Sequence, residues 1–175
     1  AAVTYNENMG AAKQAVAEKI WNLAVDYYGA AIKIEPENFQ LYFDRGVIYM
    51  NYLQNYKAAV NDFTKTFELN PKEIAALYNR GSAYLQLKDF KKAVKDLNDF
   101  INQKPDMPEA YLNRGIALMN TKKVDEAIED FNTGMRLNPR FSNLYRARSV
   151  AYQIKGRNAE AQADELRAAQ IERGQ

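Results

Sequence analysis

Pro36, Pro71, Pro105 and Pro139 recur about every 34 residues, and the chain between them repeats one template. A period of this length constrains the fold more tightly than composition does. Each unit is too short to bury its own apolar face, so neighbouring units must stack to share a core. Several columns keep phase with the prolines. One reads Ala24, Ala59, Ala93, Ala127 and Ala161. Thirteen or twelve residues before these alanines stand the small residues Ala12, Gly46, Gly81, Gly115 and Ser149, and four residues after them stand Tyr28, Phe63, Leu97, Phe131 and Glu165.

Within each unit, two stretches carry apolar residues at helical spacing, such as Leu77, Tyr78, Gly81, Tyr84 and Leu85 followed by Phe90, Ala93, Val94, Leu97, Phe100 and Ile101. These predict two short amphipathic helices. Glycine and alanine fall where the helices must approach closely, because a short side chain lets backbones pack near one another. Each second helix should end before a proline, which lacks an amide hydrogen and pushes the preceding residue out of helical geometry, as at Asn70-Pro71, Lys104-Pro105 and Asn138-Pro139. Gly46 to Ala59 spans thirteen positions where Gly81 to Ala93 spans twelve, which predicts one extra residue in the turn near Asn51 to Asn55.

These columns resemble the tetratricopeptide repeat, whose pattern sets a glycine before an aromatic, then A-x3-F, then proline. The likeness covers five motifs, 5–38, 39–73, 74–107, 108–141 and 142–175. It implies an all-α, right-handed superhelical solenoid of about ten helices, one elongated domain in which repeats contact their neighbours. It also implies a non-catalytic module that binds a partner protein or peptide along the first helices of the motifs, as a scaffold or adaptor.

Composition narrows the alternatives. Of 175 residues 47% are hydrophobic and 26% charged, enough to fill a continuous core. No run approaches the eighteen or so apolar residues of a membrane span, and no signal-peptide pattern stands at the start. The chain begins with Ala1, which leaves a processed or excised piece open, and the sequence does not choose between cytoplasm and periplasm. Net charge is +2, with basic and acidic residues interleaved, so the basic stripe of a nucleic-acid binder is missing. Lys91-Lys92 and Lys122-Lys123 read as solvated residues at helix starts. Histidine and cysteine are absent, and no phosphate loop or nucleophile elbow appears, which points away from catalysis, cofactors and thiolate metal sites. Asp125, Glu126, Glu129 and Asp130 sit near a helix start, where acids meet the helix dipole favourably.

One charged pattern is regular. Arg45, Arg80, Arg114 and Arg148 each precede the small-residue column, and Asp62, Asp96, Asp130 and Asp164 follow sixteen or seventeen residues later. The first motif breaks both columns together, with Ala11 and Tyr27. The joint change predicts that the two positions touch, an arginine fork requiring a carboxylate. The alternative is an arginine ladder that binds acidic peptides.

Carried onto this chain residue by residue, the family's groove would present Phe43, Asp44, Val47 and Met50, then Tyr78, Asn79, Ser82 and Leu85, then Leu112, Asn113, Ile116 and Met119, with Asn143, Arg146 and Val150 beyond. Asn79 and Asn113 match the asparagines with which one subgroup of the family clamps a C-terminal carboxylate. Phe43 and Val47 stand where that clamp needs lysine and asparagine, and Glu109 where it needs lysine, so carboxylate clamping is not expected. What remains is an apolar, amide-rich trough suited to a protein or peptide with an apolar segment. A competing reading makes Phe43, Met50, Leu112 and Met119 partly core. The last motif, with Glu165 in the aromatic column, reads as a capping repeat. Trp21 is expected as packed core. Self-association through the end faces, giving a homo-oligomer, and a regulatory fragment of a larger protein are the alternative functions.

Overall fold

The computed structural model describes residues 2–175. Among them are ten α-helices and no strands: α1 Tyr5–Ala17, α2 Trp21–Ile34, α3 Phe39–Asn51, α4 Tyr56–Leu69, α5 Ala75–Gln86, α6 Phe90–Gln103, α7 Pro108–Met119, α8 Val124–Leu137, α9 Ser142–Ile154 and α10 Asn158–Glu172. The prolines act as expected on the second helices. Glu35, Asn70, Lys104 and Asn138, each just before a proline, leave the helical region with φ between −126° and −143°, while their amides still close the last turn. Thr4 opens α1 with a capping box, its hydroxyl accepting from the Glu7 amide at 3.1 Å, and Asn38, Asn55 and Asp89 cap α3, α4 and α6 through their side chains.

The turns inside the motifs share a device that the apolar pattern does not reveal. Lys19, Gln54, Lys88, Lys122 and Gly156 all have positive φ, from 49° to 74°. Only the last is glycine, so four side chains are held in the left-handed region. Ile20, Lys123 and Arg157 then close their turns with a hydrogen bond to the carbonyl five residues back, whereas Asn55 reaches six back, to Tyr49. The extra residue of the second motif therefore lies in this turn. The enlarged turn carries Tyr52, which stacks on Trp21 with ring centroids 3.7 Å apart and planes 8° from parallel. Trp21 is thus half-buried under a tyrosine rather than enclosed in the core.

The chain divides into two compact units, residues up to Leu87 and from Lys88 onward. In the first, α1 to α5 pack in sequence around Ala12, Ala24, Tyr28 and Leu41, and around Ala59, Phe63, Ala76 and Ala83. In the second, α6 to α10 pack around Leu112, Leu118, Phe131, Met135 and Leu144. The small-residue column faces the aromatic one. A β-carbon on Gly46 would stand 2.8 Å from the Phe63 ring, and one on Gly115 2.4 Å from the Phe131 ring. In the last motif Ser149 stands in this column, with Glu165 and not an aromatic in the opposite one. Its buried hydroxyl finds no hydrogen-bond partner.

Candidate functional site

The arginine column is committed to structure. Arg45 grips Asp62 through Nε and Nη2 at 2.9 and 2.8 Å; Arg114 grips Asp130, and Arg148 grips Asp164, each at 2.9 and 2.7 Å. The remaining nitrogen reaches the preceding motif: Arg114 Nη1 donates to Asn98 at 3.0 Å, Arg148 Nη1 to Asn132 at 2.8 Å and Arg80 Nη1 to Thr64 at 3.1 Å. Tyrosine rings add cation–π contacts, such as Arg148 over Tyr152 at 5.4 Å. In the first motif Ala11 and Tyr27 line one small depression, so the uncharged pair shares the same neighbourhood. Burial raises the Asp62 pKa and the Arg45 hydrogen bonds pull it back, while the same bonds push Arg45 higher still. At Arg114 and Arg148, carboxylate, amide and ring together occupy the guanidinium, which leaves little of it for an acidic peptide.

An open apolar surface lies elsewhere. In the second unit α7 and α9 run beside each other, and a depression of ≈ 350 Å³ opens along them, lined by Leu112, Ile116, Met119, Asn143, Arg146, Ala147 and Val150. A depression of similar volume, ≈ 380 Å³, surrounds Arg114, but in its walls the polar and charged Asn98, Lys123, Glu126, Glu129 and Asp130 outnumber the apolar Val94 and Leu118. Size does not separate the two; chemistry does. Arg146 edges the apolar trough with its charge already answered, by Glu165 at 2.7 Å and by Glu172 at 3.0 and 2.5 Å. Those bonds hold the Glu172 carboxyl below its usual range. Val150 is 45% exposed, so the trough has an accessible apolar edge.

The residues named from sequence divide by their burial. Leu112 lies in the core cluster with Phe131 and Leu144, and it forms floor rather than free surface. Ser82 is likewise buried, 7% exposed, and its hydroxyl donates to the Tyr78 carbonyl one turn back. Both lie deeper than their place on the helix face suggests, Leu112 still lining the trough from below. Ile116 and Met119 are half-buried against the same core and keep an open side in the trough. In the first unit Phe43, Val47 and Met50 pack half-buried against the Phe63 cluster, with the Phe43 and Phe63 rings 5.8 Å apart. Tyr78, Asn79 and Leu85 are half-buried on α5, and Asn113 on α7. Asp44, half-buried on α3, accepts a hydrogen bond from Gln40 at 2.8 Å; burial pushes its pKa up, and that bond partly offsets the shift.

Three features escape the sequence reading. The Arg146–Glu165 pair occupies the two columns that Phe43 and Phe63 fill in the second motif, an apolar contact exchanged for an ionic one. Loss of the aromatic at Glu165 was the available signal. The inter-motif residues Thr64, Asn98 and Asn132 all stand two positions after the aspartate column, a phase visible in the alignment of motifs. Tyr42, Tyr111 and Tyr145 each donate to the carbonyl of the proline six residues earlier, at 2.8, 2.8 and 2.9 Å, anchoring the turn between motifs.

Comparison with known proteins agrees with this geometry. Tetratricopeptide repeat family profiles match residues 52–108 and 108–141, together just over half of the chain. A 78-residue stretch is 35% identical to the SGT1 homolog of Oryza sativa subsp. japonica; it is 45% of this chain and only 21% of that protein's length. MamA from Desulfovibrio magneticus RS-1 superposes with a TM-score of 0.91 at 20% identity, over 98% of this chain and 96% of that one. Another MamA crystal structure gives 0.87 at 22% identity over 97% and 92%. YrrB, described as a tetratricopeptide repeat protein with an unusual peptide-binding site, gives 0.80 at 20% identity over 96% and 86%.

Proposed function

Because the chain belongs to the tetratricopeptide repeat family and has its all-α superhelical repeat fold, we propose that this protein-interaction module takes an apolar segment of a partner into the trough between α7 and α9 and serves as a non-catalytic scaffold or adaptor. The observation that carries the reading is the ≈ 350 Å³ depression whose walls, Leu112, Ile116, Met119, Ala147 and Val150, are apolar and whose one cation is already paired. Such a surface rewards apolar side chains, and Asn143 at its edge can meet a peptide backbone. In the first unit Phe43, Val47, Met50, Tyr78, Asn79 and Leu85 on α3 and α5 offer a second stretch of the same chemistry. YrrB supports a peptide as the partner class, since that neighbour carries a peptide-binding site. Among the described residues no helix is long and apolar enough to cross a membrane, and no group of three or more metal-ligating side chains occurs.

The test is calorimetric titration of a partner recovered by pull-down. Val150→Asp, at an exposed position, should weaken binding about tenfold or more while thermal unfolding stays unchanged, and high salt should matter little. Undiminished affinity would move the site off the trough.

A further inference from the structure

The bond that ties each arginine of the column to the motif before it fails once. Thr64, Asn98 and Asn132, two positions after the aspartate column, accept from Nη1 of Arg80, Arg114 and Arg148 at 3.1, 3.0 and 2.8 Å. In the first motif the same position, two after Tyr27, is Gly29 on α2, which has no side chain to offer. Arg45 of α3 spends Nε and Nη2 on Asp62, at 2.9 and 2.8 Å, and among the described residues its Nη1 has no acceptor. A β-carbon built on Gly29 would lie 3.5 Å from that Nη1, so the nitrogen points to the place where its counterparts in later motifs meet an amide or hydroxyl.

A depression of ≈ 460 Å³ opens at this point between α2 and α3, within the first unit, and both Gly29 and Arg45 line it. Val25, Ala30, Ile32 and Tyr49 give it apolar walls, and Asp26 and Lys33 bring one charge of each sign. The Asp62 carboxylate already answers the Arg45 charge, so the free N–H opens on a locus without net charge. A carboxylate guest would give up its hydration to sit near Asp62 and Asp26, whereas a neutral oxygen acceptor loses less on leaving water and repeats what Oδ1 of Asn98 and Asn132 does for Arg114 and Arg148. We infer that Arg45 Nη1 and the space left by Gly29 form a subsite for the carboxamide of a glutamine or asparagine side chain of a partner polypeptide. The guest supplies from outside the acceptor that the first motif lacks, and its methylenes lie against the apolar walls. The subsite belongs to the first unit and does not depend on the apolar trough of the second.

The full chain is titrated with the blocked pentapeptide Ala-Ala-Gln-Ala-Ala and with its glutamate and norleucine counterparts, while NMR follows the Gly29 amide and the Arg45 Nε–H. The glutamine peptide should shift both resonances and bind about tenfold more tightly than either counterpart, a comparison read on the unaltered chain. Gly29→Asn, which installs the residue found at 98 and 132, should tie Nη1 internally and weaken the glutamine peptide about tenfold. Gly29→Ala, which adds bulk without an acceptor, should weaken it less. Equal binding of the norleucine peptide, binding of the glutamate peptide as tight as that of the glutamine one, undiminished binding by Gly29→Asn, or a loss with Gly29→Ala as large as with Gly29→Asn would each overturn the subsite.

Discussion

Arg114 and Asp130 form a bidentate pair across the two helices of one motif, at 2.9 and 2.7 Å, while the third guanidinium nitrogen holds Asn98 of the motif before. One side chain therefore links helix to helix and repeat to repeat. Removing it by Arg114→Ala leaves the mostly buried Asp130 carboxylate unpaired, at a cost of about 2–4 kcal/mol. Adding Asp130→Tyr, which recreates the Ala11 and Tyr27 combination, should recover much of that loss. A double-mutant cycle by denaturant unfolding measures the coupling, and simple additivity would show that the pair contributes nothing jointly.

Gly115 and Phe131 make a second test. A β-carbon at 115 would lie 2.4 Å from the ring, so Gly115→Ala should cost about 1–3 kcal/mol despite the helix preference of alanine. Phe131→Leu, the residue at 97 in the same column, should make the alanine tolerable. Chemical denaturation of the two single variants and the double variant decides between steric conflict and a general weakening of the core.

The left-handed turn residues predict opposite effects of glycine at equivalent positions. Lys122 sits at φ 62°, so Lys122→Gly should stabilise by about 0.5–1 kcal/mol. Gly156 at φ 74° has nothing within 4 Å of a built β-carbon, so the cost of Gly156→Ala, about 1 kcal/mol, is conformational rather than steric. Melting temperatures that move in the same direction for both would contradict this account.

Asp44 makes stability depend on pH. Burial raises its folded-state pKa above the unfolded value of 3.8, so the folded state binds the proton more tightly. Its contribution is complete below 3.8 and is lost as pH rises through the folded pKa. Asp44→Asn should therefore raise the melting temperature at neutral pH and change it little in acid. A gain that is the same at both pH values would trace to hydrogen bonding and not to the charge.

Much of the architecture was legible in the chain. The prolines at 36, 71, 105 and 139 mark where second helices end, because φ restriction and the missing amide act on the residues beside them whatever the rest of the fold does. The Arg45, Arg114 and Arg148 partners were readable because two columns change together in the first motif. The candidate site was less legible. Column position names the side of a helix, but Leu112 and Ser82 occupy the proposed face and are still buried.

The order of helices, their ends, the extra turn residue and the arginine pairs follow from the sequence alone, since each depends on local sterics or on a periodicity that every motif repeats. Only the tertiary structure decided which apolar residues stay open, that Trp21 stacks on Tyr52, and that Arg146 answers Glu165 and Glu172. Exposure and unmet charge depend on how closely neighbouring helices approach, and that distance is set by the joint packing of side chains from several motifs, which no single column contains.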